Sequence, residues 1–299
     1  MILVLGYGRD SAVRLAVEAA RELGVEHVLV DQQADPLPDA RLGGTPSEGF
    51  VEVAGVRTPL ADVEGVYARP LAPVGGPDTR RLERGQALVE LLVEWMEGAD
   101  CRVASRPSAM HSNSSKPFQA QLIGSAGLEV PITLVTDDPE RVRAFAAEHG
   151  TVVYKSTSGV RSIVRRLEGP ALAHLDRVRA LPTQFQALVP GVDVRVHVVG
   201  AQVFATEIVS DAVDYRYAGR DGLTAQLRAT TLPDDVAERC VRLAARLGLP
   251  LAGIDLRRTP DGRWVCFEVN PMPGYSFYEA HTGQPISRAL VRHLAGKAD

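Results

Sequence analysis

Two acids and an amide near the end of the chain have the types and spacing to hold a hard cation. They lie in "GIDLRRTPDGRWVCFEVNPMPG", residues 253–274. Pro271 and Pro273 cannot continue a strand ladder, so Glu268 and Asn270 end a strand. Thr259-Pro260-Asp261-Gly262 reads as a hairpin turn. If Arg258 pairs with Arg263, Asp255 faces Cys266. Glu268 is then its diagonal neighbour, roughly 7–8 Å away at Cα. Alternation puts Ile254, Leu256, Val265, Phe267 and Val269 on an apolar face, with Asp255, Glu268 and Asn270 on the other. Adjacent anions destabilise a sheet unless a cation offsets them. Oxygen ligands of this kind suit Mg²⁺ shared with phosphate oxygens. A one-residue slip would turn Asp255 into the core, and a solvated strand end is the plainer alternative.

Magnesium on such ligands usually accompanies a nucleotide. Lys155 ends "TVVYK" before Ser156-Thr157-Ser158-Gly159. There it can reach phosphates covered by loop N–H groups, or lie on the surface as a solvated lysine. Lys116 in "NSSKP" starts a helix and is equally open. No P-loop or kinase catalytic loop is present. A rival signal is Gly6-Tyr7-Gly8 between a strand and a helix, with Asp31 where a dinucleotide fold places its ribose acid. The third glycine position holds Ser11, and Asp31 reads equally as a strand-end cap.

These residues need elements to position them. Residues 1–104 read as an α/β lobe that opens β-α-β, with 35–49 mostly loop and a long amphipathic helix at "RLERGQALVELLVEWMEGA". Residues 105–185 form a second lobe, and 186–299 a strand-rich third lobe with two helices. The 299 residues are 45% hydrophobic, which supports sizeable cores. A net charge of −4 and a pI near 6.0 give no footprint for nucleic acid. The three cysteines, Cys101, Cys240 and Cys266, are scattered, which points to a reducing cytoplasm. No signal peptide is read at "MILVLGYGRD", and no run approaches the ~18 apolar residues of a membrane span.

Taken in order, Lys116, Lys155 with its Ser/Gly loop, "FQALVPGVDVRVHVVG", "GIDL" and "FEVNPMPGYSFYE" resemble the ATP-grasp superfamily. Within it the chain resembles the branch of ribosomal-protein glutamate ligases and graspetide (microviridin-type) peptide-modifying ligases. The phrases "LEVPITLVTDDPERVRAFAAEHGTVVYKS" and "ATEIVSDAVDYR" are similar to the latter. The likeness covers about residues 105–296, behind a Rossmann-like pre-ATP-grasp lobe. It implies an α/β ATP-grasp fold and ATP-dependent carboxylate–amine or ester ligation through an acyl phosphate, on a peptide or natural-product substrate. It assigns Lys116, Lys155, Ser158 and Gly159 to phosphates. Gln186, Ala187, Leu188 and Val189 contact adenine, and Asp193 the ribose. Arg195 and Arg216 face the γ-phosphate or acyl phosphate. Asp255, Glu268 and Asn270 hold Mg²⁺, with Mn²⁺ as an alternative. The chain departs from the pattern at Gln186, where a carboxylate is common, and at Asp214-Tyr215-Arg216 and Lys155-Ser156, where graspetide ligases show Asp-Trp-Arg and Lys-Pro.

No enzyme nucleophile is required by such chemistry. His111, His197 and His281 are candidate proton carriers or, more plainly, polar surface or support residues. The turns 156–162 and 215–224 read as a lid. An NAD(P)-linked oxidoreductase using Gly6, Gly8 and Asp31 is one rival. A non-catalytic nucleotide-binding partner protein is another. A homodimer stays open.

Overall fold

The computed structural model describes residues 1–71, 79–156, 164–210 and 225–297. The chain opens with β1 (Ile2–Gly6), α1 (Ser11–Glu22) and β2 (His27–Asp31). A small antiparallel sheet follows, of β3 (Asp39–Leu42), β4 (Gly49–Val53) and β5 (Val56–Pro59). Then come β6 (Gly65–Arg69), α2 (Thr79–Gly98) and β7 (Arg102–Ala104). The parallel sheet runs β2-β1-β6-β7. β1 is buried along its length, as a parallel strand covered on both faces must be. α1 buries Val13, Ala16, Val17 and Ala20, and the Asp10 carboxylate caps its first turn by accepting from the Ala12 and Val13 amides.

The segment 35–49, expected to be mostly loop, contains β3 and the start of β4. The strand is short, and its residues alternate between exposed and half-buried. It therefore lacks the apolar run that marks a strand.

The next elements are α3 (Lys116–Ser125), β8 (Thr133–Thr136), α4 (Pro139–His149), β9 (Val152–Ser156), β10 (Arg165–Arg166), α5 (Pro170–Ala173) and β11 (Thr183–Ala187). Their strands form a sheet in the order β10-β9-β11-β8. Val152 and Phe185 face a core shared with Val142 and Phe145 of α4. Alternation puts Val153, Lys155, Gln184 and Gln186 on the opposite face.

The last part comprises β12 (Val192–Val199), β13 (Gln202–Ser210), β14 (Ala225–Thr230), α6 (Asp234–Arg246), β15 (Leu251–Arg258), β16 (Trp264–Asn270), α7 (Ser276–Thr282) and α8 (Ile286–Leu294). Its antiparallel sheet runs β14-β13-β12-β15-β16. One face, with Val194, Val196, Ile254, Leu256 and Val269, packs on Cys240 and Leu243 of α6 and Ile123 of α3. α8 returns to the first sheet, so Ile2, Ala16, Leu251, Tyr275 and Leu290 share a single core. Among the described residues no helix is long and apolar enough to cross a membrane.

The hairpin register differs from the expected one. Arg258 pairs with Trp264, and a bulge at Phe267 shifts the ladder so that Asp255 lies directly opposite Glu268. Cys266 thereby faces Leu256 and is fully buried in the core, while Phe267 leaves it and lies against Arg257. Burial pushes the Cys266 thiol well above its ordinary range. It is a packing residue, away from the carboxylate face.

Candidate active site

The register of the large sheet brings polar residues of three strands onto one face. Arg195 of β12 pairs with Asp255 of β15, which pairs with Glu268 of β16, and Gly253 pairs with Asn270. Two facing carboxylates repel, and the structure sets a cation on each. Arg195 Nη1 donates to Asp255 Oδ1 at 2.6 Å, and Lys116 Nζ to Glu268 Oε2 at 3.1 Å. Both pairs are largely buried, which strengthens them relative to surface pairs.

Lys116 reaches Glu268 because its helix is fixed to the sheet edge. Gln119, one turn further along α3 and buried, accepts from Val269 N at 2.9 Å and donates to Val269 O at 2.8 Å. The amide takes the place of a neighbouring strand on edge strand β16. Arg195 lies in a slot over Gly253. A Cβ there would fall 2.1 Å from Arg195 Nη2 and 2.7 Å from Pro273 Cβ, so only glycine fits. Tyr278 flanks the guanidinium, 5.7 Å from ring centroid to Cζ. Neither Gln119 nor Gly253 stands out in the sequence, since each acts on a partner far along the chain.

His197, two residues along β12 from Arg195, is fully buried against Tyr278, with ring centroids 4.9 Å apart, and neither ring nitrogen makes a hydrogen bond. Burial first, and the Arg195 charge second, hold its pKa well below the ordinary histidine value. It is a neutral packing residue and not a surface one, because Tyr278 of α7 covers that end of the sheet face. His111 is exposed, and His281 is an exposed α7 residue whose Nδ1 lies 2.7 Å from Phe277 O.

In the central sheet, Lys155 and Gln184 are opposed and both buried. Gln184 Oε1 is buried and has no hydrogen-bond partner in the protein. Gln186 Nε2 donates to Thr133 Oγ1 at 3.0 Å, which fixes its amide. The Ala187 and Leu188 amides donate to Ile132 O at 3.0 Å and Thr151 O at 2.8 Å. Arg257, unremarked in the sequence, clasps the hinge. It donates to both Asp193 oxygens, at 2.7 and 2.9 Å, and to Val189 O at 2.8 Å. Ser158, Gly159 and Arg216, and most of the expected lid, lie outside the described residues.

The donor set fits magnesium. Two opposed carboxylates and the Asn270 amide oxygen are hard ligands. Asn270 Oδ1 accepts from Met272 N at 2.9 Å and keeps a second lone pair. Among the described residues no cluster of three or more His, Cys, Asp or Glu offers a rival site.

The G-x-G turn is differently built. Asp31 Oδ1 accepts from Gln33 N at 3.0 Å, and a Cβ on Gly8 would meet Asp31 Oδ2 at 2.6 Å. The first turn of α1, where a pyrophosphate would sit, is already capped by Asp10. Asp10 in turn accepts from Arg69 Nε at 3.1 Å.

The RimK-like ATP-grasp domain family matches residues 114–294. A probable alpha-L-glutamate ligase of Xylella fastidiosa (strain M12) is 29% identical over 190 residues, covering 58% of this chain and 60% of that protein. One from Xanthomonas oryzae pv. oryzae is 31% identical over 192 residues, covering 58% and 62%. The chain thus spans about three fifths of the length of these curated relatives. Among solved structures, the ATP-grasp ligase PsnB complexed with a phosphomimetic variant of minimal precursor, Mg and ADP is 31% identical. It superposes with a TM-score of 0.81 over 99% of this chain and 97% of its own. The macrocyclase MdnC bound with precursor peptide MdnA, from Microcystis aeruginosa MRC, has a TM-score of 0.81 over 100% of both chains at 23% identity, a likeness of fold. The chain belongs to the RimK-like ATP-grasp family.

Proposed function

We propose that the chain is an ATP-dependent carboxylate ligase that modifies a peptide through an acyl phosphate. The observation that carries this reading is the Asp255–Glu268 pair, opposed across one ladder rung and flanked by Lys116 and Arg195. Such a face suits chemistry in which negative charge is gathered and moved.

In this reading the chain is organised as lobes 1–104, 105–185 and 186–299, with ATP between the second and third. Lys155 holds phosphates from the central sheet and Lys116 from α3, and Ser158 and Gly159 are assigned to the same phosphates. The Gln186–Val189 hinge takes adenine. The bond from Gln186 to Thr133 leaves its Oε1 to accept the exocyclic amine. Asp193, oriented by Arg257, takes the ribose. Asp255, Glu268 and Asn270 would hold Mg²⁺, or Mn²⁺ in its place, and that ion would supply charge neutralisation at the transferring phosphoryl group.

A substrate carboxylate oxygen attacks the γ-phosphorus and ADP leaves. Arg195 and Arg216 steady the acyl phosphate. An amine attacks its carbonyl carbon, inorganic phosphate leaves, and the proton of the amine is released. A hydroxyl nucleophile would give an ester by the same path. Asp193, Arg195 and Asp255 share a sheet face, so nucleotide and acyl phosphate meet along one line. A peptide substrate is favoured because PsnB, 31% identical to this chain, is seen with a minimal precursor.

The test is a screen of peptides and free amino acids with ATP and Mg²⁺, read by phosphate release and mass spectrometry. The expected result is phosphate release coupled to loss of one water from a peptide. Nicotinamide binding without ATP-dependent phosphate release would contradict it. Mild base distinguishes ester from amide in the product.

A further inference from the structure

The loop after Asn270 does not stand alone at the strand end. It is held from outside the ATP-grasp region, by the carboxyl edge of the first sheet. β1 feeds β2 on one side and β6 lies on its other side, so the β1/β6 edge is a topological switch point. Open parallel sheets bind ligands in that crevice. Here the crevice is filled by the chain itself.

Arg69 ends β6 at this point. Its Nε donates to Asp10 Oδ1 at 3.1 Å, and its Nη1 to Met272 O at 3.0 Å and Pro273 O at 3.4 Å. Two further contacts fasten the same stretch to α1. Tyr275, fully buried, donates from its hydroxyl to Ala12 O at 2.6 Å, and the Ser11 and Ser276 hydroxyls lie 2.7 Å apart. Met272 is gripped on both sides, because its amide donates to Asn270 Oδ1. Pro273 forms one wall of the Arg195 slot.

We infer that Arg69 is a positioning residue for the metal-holding face, setting Asn270 through Met272 and Arg195 through Pro273. This rests on the ligase reading above. The planar fork is what such a brace requires, since one guanidinium bridges a carboxylate and two carbonyls in fixed directions, which an ammonium cannot do. The side chains of Arg69 and Asp10 are each 15% exposed, so the pair is only weakly screened by solvent. The first lobe thereby acts on the metal site without touching the ion.

The test is calorimetric titration of ADP at a series of Mg²⁺ concentrations, with thermal unfolding as a check on folding. For Arg69→Lys the Mg²⁺ concentration giving half-maximal ADP affinity should rise about 10-fold, the usual scale for removing a residue that orients a metal ligand. ADP affinity at saturating Mg²⁺ should stay within about 2-fold. Asp10→Asn keeps a helix cap but loosens Arg69, and should move the midpoint the same way by about 3-fold. A plain loss of stability would lower the melting temperature without moving the Mg²⁺ midpoint. An unmoved midpoint in either folded variant overturns the inference, and if Arg69→Lys fails to fold, Asp10→Asn decides alone. Absence of any Mg²⁺-dependent ADP binding by the unaltered chain overturns the ligase reading, and this inference with it.

Discussion

Two strand ends in this molecule carry the marks of a ligand site, and they are built differently. At the β1 edge a G-x-G turn and Asp31 imitate a dinucleotide fingerprint, yet Asp31, Asp10 and Arg69 are partnered within the chain. Asp31 accepts from Gln33 N, Asp10 caps α1, and Arg69 grips Asp10 and the 272–273 carbonyls. At the β15/β16 end two carboxylates face each other across the ladder, and in the central sheet Gln184 Oε1 is left unsatisfied. A short glycine motif reports a tight turn. Two carboxylates held side by side, with Arg195 and Lys116 set against them, gather charge of both signs on one face and are the better sign of chemistry. The first end serves as a brace for the second.

The contrast breaks most readily at Glu268. Glu268→Gln keeps the shape and removes one charge, so activity should fall by roughly three orders of magnitude or more while unfolding is little changed. An active variant would remove the metal role from this face. Gly253→Ala forces Arg195 out of its slot without altering any charge. A displacement near ~1 Å should lower kcat about 100-fold with smaller change in nucleotide affinity, measured by steady-state kinetics. Lys155→Ala should weaken ATP binding by roughly 1.5–3 kcal/mol in calorimetry; unchanged affinity would make Lys155 a structural lysine.

His197 gives a pH signature at the end that carries the carboxylate pair. Its folded-state pKa is depressed, so the folded chain keeps it neutral while the unfolded chain takes up a proton below its ordinary value of 6.5. Its contribution is complete above that pH and is lost as pH falls, by up to about 1.4 kcal/mol per unit. Urea unfolding at several pH values should show a shallower acid loss for His197→Phe than for the unaltered chain. An identical pH slope would contradict the neutral assignment. The smallest expected effect is at the other end. Asp31→Asn should leave ligase turnover within about 2-fold, since it perturbs only a local cap; a collapse of activity would mean that the β1 edge binds a substrate.

The outline of the fold is legible in the residue pattern, and the fine register is hidden from it. The alternation in "VDVRVHVV" and "GIDL" places Asp193, Arg195 and Asp255 on one face, as β12 and β15 do. The bulge at Phe267 has no local signature, so the expected register sets Asp255 against Cys266 and keeps Phe267 in the core. The chain uses that extra residue to bring Asp255 and Glu268 face to face. β14 and the β4/β5 hairpin lack a clear signal because they are short and largely exposed or half-buried. Gln119, Arg257 and Arg69 escape notice for another reason. Each is defined by a partner far away in sequence, as Arg69 and Met272 are, 203 positions apart. Periodicity reports which way a residue faces within its own element, and long-range polar contacts lie beyond it.

The central claim is that the β15/β16 carboxylate face binds a metal–nucleotide complex. The direct measurement is calorimetric titration of ADP into the chain with and without Mg²⁺, repeated on Glu268→Gln. The account predicts binding that needs the metal and that weakens at least about 10-fold in the variant. Equal ADP affinity with and without Mg²⁺, or in the variant and the unaltered chain, would contradict it.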